Sequence, residues 1–248
     1  MDNILINISY IISILIEIGV PVILAFYMWK KYKVSWALFF LGMLLFLVSL
    51  CRIPLNNIFS LYIGRNFTGV LAVILAGLFV SFTAGIFEEG VRALAFGLII
   101  KSRSYEKAVI YGIGHGGGGE SMIFVGISVM ISFIVYRLFP GSLPAGLLHE
   151  VAGIAWYMPL VGALERILAI AIQISLSVLV MYAFLKKKYY FILISILYHM
   201  MIDFVSIYIN YKFGIFLSEI MLFIFAGISI AIIYILRPRK REVGIIEG

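Results

Sequence analysis

The stretches "EEGVR" (88–92), "GHGGGGES" (114–121) and "HMMID" (199–203) place acids and histidines inside long apolar runs. Carboxylates beside an imidazole are the usual equipment for moving protons to and from water. Glu88 and Glu89 are adjacent, and adjacent carboxylates repel in a low-dielectric site. Arg92 follows Glu88 by four residues, the favourable order for an ion pair along a helix. That pairing leaves Glu89 the less neutralised acid, or the reverse if Arg92 turns away. His199 and Asp203 are also four apart and share a helix face. His115 and Glu120 are separated by four glycines, Gly116 to Gly119. On an unbroken helix they point roughly 140° apart and differ by about 7 Å in height. Both reach one site only if the glycines let the helix unwind or widen. The alternative is that the glycines admit a neighbouring helix.

The elements that position these residues follow from composition. The 248 residues are 64% hydrophobic and 12% charged, with a mean hydropathy of +1.14, which excludes an ordinary soluble domain. The apolar runs are continuous, whereas strands of a membrane barrel alternate. The fold class is therefore all-α: a polytopic membrane protein of about seven spans at roughly 20 residues each. The spans are drawn at 4–28, 34–51, 68–100, 107–136, 160–185, 189–209 and 213–236. The first has no basic leader and no small-residue cleavage site, so it reads as a retained anchor. Two segments outside the spans, 52–67 and 140–159, read as interfacial helices. No internal repeat is visible. The chain reads as one membrane-embedded domain, 1–248, with a core at about 68–210.

Lys30, Lys31 and Lys33 follow span one; Lys101, Arg103 and Lys107 separate spans three and four. Lys186 to Lys188 separate spans five and six, and Arg237, Arg239, Lys240 and Arg241 follow span seven. With seven spans all four clusters share one side, which the positive-inside rule makes cytoplasmic, with the N-terminus outside and the C-terminus inside. The net charge of +7 is then a topology signal towards the lipid bilayer and not a nucleic-acid footprint. Cys51, the single cysteine, reads as a packed apolar residue.

Depth links the polar residues. Counted from the cytoplasmic ends, Glu88 and Glu89 lie about 16–18 Å up their span and Glu120 roughly 20 Å. Gln173 lies about 18 Å up its own, and His199 and Asp203 roughly 15 and 21 Å. Each central charge costs about 2.5–3.5 kcal/mol even on a lenient scale, so such acids must be paired, protonated or facing water. Scattered structural polar groups have no reason to share a level, and a single buried site does. Arg92 reads as a counter-ion, Glu165–Arg166 as an ion pair near the outer boundary, Glu17 as isolated, Glu219 as close to the outer interface, and His149 as solvated in an outer loop.

Three lookalikes fail on context. "HEVAG" (149–153) lacks the second histidine of a zinc-protease helix, "GIGHGG" (112–117) lies within an apolar span, and "HGGG" has no nucleophile elbow to serve.

Taken in order with "ERILAIAIQISLSVLV" (165–180), the motifs "EEGVR", "GHGGGGES" and "HMMID" resemble the YhfC family of intramembrane proteases. That family is similar to the CAAX-prenyl endopeptidase and bacteriocin-processing (Abi) proteases and to the PrsW proteases. The resemblance covers roughly 68–210 and implies peptide-bond hydrolysis within a prokaryotic plasma membrane. It implies Glu88 and Glu89 as the general-base pair, Arg92 as their companion, and His199 with Asp203 as the oxyanion pair. His115 and Glu120 match its second motif. It also implies a membrane protein or peptide as substrate. One position departs: Gln173 stands where the family pattern has histidine, and an amide cannot act as a base.

The cofactor expectation is none. A metal-free glutamate mechanism needs only a base near water and donors for the oxyanion. The zinc alternative would draw on His115, Glu120, His199 and Asp203, with Gln173 weakening it. Two other functions compete. Mid-membrane acids and glycine-broken helices also mark proton-coupled carriers, against which stands the absence of a repeat. Gln173 also suits a catalytically weakened scaffold.

Overall fold

The computed structural model describes residues 4–142, 144, 146 and 153–238. The helices are α1 (Ile4–Tyr32), α2 (Trp36–Ser49), α3 (Arg52–Asn66), α4 (Gly69–Leu94), α5 (Tyr105–Gly112), α6 (Ile127–Leu138), α7 (Met158–Leu185), α8 (Tyr190–Phe213) and α9 (Ile215–Ile235). Between α5 and α6 the chain stays helical but widens over Ile113–Gly126, with backbone bonds spaced five residues apart. A shorter widened turn, Ala95–Ile99, ends α4.

Among the described residues, seven stretches are long and apolar enough to cross a membrane: Ile4–Tyr32, Trp36–Asn66, Gly69–Ile99, Tyr105–Leu138, Met158–Leu185, Tyr190–Phe213 and Ile215–Ile235. Their outward faces carry large apolar side chains such as Ile23, Leu44, Phe82, Leu197 and Phe223. That would be an aggregation liability in water and fits a lipid surround. Local chemistry sets the boundaries. Ser35 caps α2 by accepting from Ala37 N, and Ser104 caps α5 by accepting from Lys107 N. Gly69 and Gly214 take positive φ (62° and 85°) where the chain reverses into α4 and α9.

The ends that carry the basic clusters lie together. Tyr105 Oη donates to the Ile233 carbonyl and Tyr182 Oη to the Leu236 carbonyl, while the Arg103 guanidinium covers the Phe184 ring. Just inside this end is a fully apolar layer: Ala95, Phe96, Ile100, Ala108, Val178 and Met181, with the ring of Tyr111 against Phe96.

The first of the two expected interfacial segments sits differently. Arg52 pairs with Glu88, Asn56 with Thr83, and Phe59 stacks on Phe79. Rising numbers on α3 meet falling numbers on α4, so α3 runs antiparallel along α4 rather than flat at the bundle's end. With α2 it makes one 31-residue apolar stretch, broken at Leu50–Cys51. The mixture of polar residues reads as interface in the sequence; Arg52 and Asn56 instead face α4, while Asn57, Arg65 and Asn66 are exposed. Of 140–159, the turn Pro140–Ser142 and the approach to α7 are described. Most of the expected helix, and His149, lie outside the described residues.

Glycine brings the site's backbones together. The wide helix meets α2 at Gly114, where a Cβ would collide with the Phe39 carbonyl, and Gly42 opposite would collide with the Tyr111 carbonyl. A Cβ at Gly117 would lie 2.9 Å from Pro21 of α1, and at Gly119 2.6 Å from Phe46 of α2. Gly85 lets α4 approach the Ile196 carbonyl of α8. The glycines therefore do both things posed for them: the helix widens, and its neighbours pack where side chains would otherwise stand.

Candidate active site

The residues singled out in sequence meet in one buried network. On α4, Glu88 and Glu89 point to different partners. Arg52 Nη2 donates to Glu88 Oε1 at 2.8 Å, and His115 Nε2 donates to Glu88 Oε2 at 3.3 Å. Glu89 Oε1 accepts from Arg92 and from His199 Nδ1 (2.8 Å), and its Oε2 accepts from Ser195 Oγ (2.6 Å). Of the two pairings open to Arg92, the closer is with Glu89; its Nη2 stays 3.8 Å from Glu88 Oε2. Gln173 sits at the junction. Its amide nitrogen donates to Glu120 Oε2 at 2.9 Å and to Glu88 Oε2 at 3.3 Å, and its oxygen accepts from Arg92.

Widening explains how His115 and Glu120 both take part. With bonds closing every five residues, positions five apart return near the same face, and Ser121 Oγ correspondingly donates to the Gly116 carbonyl. His115 is fully buried, edge-on to Phe46 at 5.3 Å. Glu120 is held by Arg166 Nη1 at 2.7 Å.

His199 is ringed by acids. Its Nδ1 donates to Glu89, and Nε2 faces Glu88 Oε2 at 3.9 Å and Asp203 Oδ2 at 3.7 Å. These are separations that a bridging water spans. Carboxylates outnumber guanidinium groups here (Glu88, Glu89, Glu120, Glu165 and Asp203 against Arg52, Arg92 and Arg166). Neutrality in a low-dielectric interior then requires protons or another cation.

A cavity of about 570 Å³ opens onto part of this network. Glu88, Glu120, Gln173, His199, Asp203, Arg52 and Arg166 line it. Glu89, Arg92 and His115 have no exposed surface and stand behind its wall. Glu17 is buried apart from the network, accepting from Ser13 Oγ and packed beside Gly126.

Reading the sequence missed three residues. Arg52 falls in the segment 52–67 that reads as interfacial, Arg166 reads as a partner of Glu165 near the outer boundary, and Ser195 is not among the candidate residues. Ser195 carried a signal: it lies one turn before His199 on the same face. Arg52 and Arg166 carried none, because pairing between distant spans leaves no spacing to read.

The donors do not form a metal cage as arranged. A metal-ligating histidine normally gives its other ring N–H to an acceptor, and His115 Nδ1 is buried without one among the described residues. Both oxygens of Glu88 already accept from Arg52, His115 and Gln173, and Glu120 is taken by Arg166 and Gln173. Among the described residues, no three acids, histidines or cysteines group so as to hold an ion.

Comparison with known proteins adds an independent line. A family model described as "YhfC intramembrane metalloprotease" matches residues 13–225. The "Uncharacterized membrane protein YhfC" of Bacillus subtilis (strain 168) is 32% identical over 196 residues, covering 72% of this chain and 75% of that protein. No solved structure matches.

Proposed function

Since the chain belongs to the YhfC family, described as intramembrane metalloproteases, we propose that it hydrolyses a peptide bond of a membrane-embedded or lipid-modified substrate through a glutamate-activated water. The observation that carries this reading is the division of labour in the glutamate pair. Glu88 reaches the cavity, 3.9 Å from His199 Nε2, while Glu89 stands behind and holds the far nitrogen of the same ring.

A water between Glu88 Oε2 and His199 Nε2, taking the place of the 3.3 Å Gln173 contact on that oxygen, gives a proton to Glu88 and attacks the scissile carbonyl carbon. The carbonyl oxygen becomes the oxyanion. His199, protonated on both nitrogens with Glu89 and Asp203 beside it, donates towards that charge, which is worth most where water is excluded. Glu88 then returns the proton to the amide nitrogen as the C–N bond breaks, leaving a carboxylic acid and an amine, which exchange a proton to become carboxylate and ammonium. Glu89, Arg92 and Ser195 are positioning residues. Gln173, where the resemblance implies a histidine, cannot act as a base and bridges Glu88, Glu120 and Arg92 instead.

One observation favours a second reading, a bound metal ion: the Nε2 atoms of His115 and His199 both approach Glu88 Oε2, at 3.3 and 3.9 Å. It would require Gln173 and the neighbouring guanidinium groups to give up their hold on Glu88. The test of the first reading compares new peptide termini, by mass spectrometry, in membranes of cells expressing the protein or Glu88→Gln. Termini lost in a folded Glu88→Gln protein are expected; an unchanged set overturns the proposal.

A further inference from the structure

We infer that the candidate site is reached from the membrane face opposite the basic clusters, the extracytoplasmic face, so its substrates present the scissile bond in the outer half of the membrane or just beyond it. The inference deepens the protease reading and rests on it for the word substrate; the end at which the cavity opens stands on geometry, and the name of that face on the positive-inside rule.

The cavity wall is graded. At its inner end stand Glu88, Gln173 and His199, all at most 5% exposed. From there the lining runs along α8 through Asp203, Ser206 and Ile207 to Asn210, three residues before the helix ends. It continues onto Ile215, the first residue of α9. Ile207, Asn210 and Ile215 are exposed. The mouth is therefore at the α8–α9 turn. The numbering of α7 agrees: the lining goes from Gln173 back to Glu165, towards the start of that helix.

The other direction is closed. Behind His115 lie Tyr111 and Phe96, then the buried apolar layer on the side of Lys101, Arg103 and Lys186 to Lys188. The positive-inside rule makes that side cytoplasmic. A peptide arriving from the cytoplasm would have to cross close-packed side chains. One arriving from the opposite side meets an open cavity in which Glu165, Asp203 and Asn210 stand among apolar side chains such as Ile202, Ile207 and Ile215.

Cysteine accessibility tests this in whole cells. In a Cys51→Ala background, Asn210→Cys and Asp203→Cys probe the mouth and the path, the Asp203 side chain being 34% exposed in the cavity, and Lys187→Cys probes the basic end. The probe is a charged, membrane-impermeant maleimide, applied before and after permeabilisation. The expected result is labelling of Asn210→Cys and Asp203→Cys in intact cells, with Lys187→Cys labelled only after permeabilisation. Asp203→Cys protected from outside while Asn210→Cys reacts overturns the open path. Labelling of Lys187→Cys from outside overturns the assignment of the face. Because labelling needs no proteolysis, loss of the protease reading and loss of this one are told apart.

Discussion

Gly119→Ala tests the tight crossing at the centre of the site. A Cβ at 119 would stand 2.6 Å from Phe46 Cβ and 2.8 Å from its Cγ and Cδ1. Ordinary contact begins at 3.4 Å, so α2 and the wide helix must separate by about 0.8 Å. Phe46 is buried and its near atoms are the stem of the side chain, so rotation does not relieve the clash. Overpacking of this kind costs about 1–3 kcal/mol, while alanine recovers about 1 kcal/mol of helix propensity. Gly227→Ala in α9, with nothing within 4 Å, isolates the second term. The difference between the variants is then the overpacking term. At about 2–4 °C per kcal/mol it lowers the Tm of Gly119→Ala below that of Gly227→Ala by roughly 2–12 °C. Tryptophan fluorescence during heating in detergent reads it. Activity falls as well, because Phe46 lies edge-on to His115, and displacements near 1 Å cost up to about 100-fold. A Gly119→Ala protein as stable as Gly227→Ala would refute the close approach of α2.

The glutamate pair should separate in stability. Glu89→Ala takes from the buried Arg92 its closest carboxylate and is expected to cost about 3–5 kcal/mol, clearly more than Glu88→Ala in the same melting assay; equal losses would contradict the different partners of the pair. Gln173→Glu replaces two donated bonds by carboxylate repulsion against Glu88 and Glu120 and should destabilise by about 2 kcal/mol or more. A melting point at or above wild type would show that the amide is not a bridge. Protein purified in detergent should carry far less than one metal ion per chain by mass spectrometry, with cleavage surviving EDTA; stoichiometric zinc removed together with activity would establish the second reading instead.

Helix count and the convergence of Glu88, Glu89, Glu120, Gln173, His199 and Asp203 were legible because hydropathy gives the spans and a fixed rise per residue gives depth. The widening at Gly116–Gly119 was legible as a condition: five residues between His115 and Glu120 cannot face one way on an ordinary helix. Which carboxylate Arg92 chooses was not legible, since i+3 and i+4 neighbours lie almost equally near. The course of α3 was also hidden. Asn56 and Arg52 look interfacial until Thr83 and Glu88 are set beside them, and that adjacency depends on the angle between α3 and α4, which no local pattern encodes.

The apolar layer behind His115 makes the cavity a dead end. Acids and histidines strung through a membrane are a hazard to any cell that stores energy as a proton gradient, because a continuous chain of them is a short circuit. Here the chain of acids and histidines ends at Tyr111, whose buried hydroxyl has no partner among the described residues, and beyond it Phe96, Ala95 and Met181 offer no side-chain group to hand a proton on. Titratable groups near the middle of the bilayer can thus exchange with the compartment at the mouth without discharging the gradient.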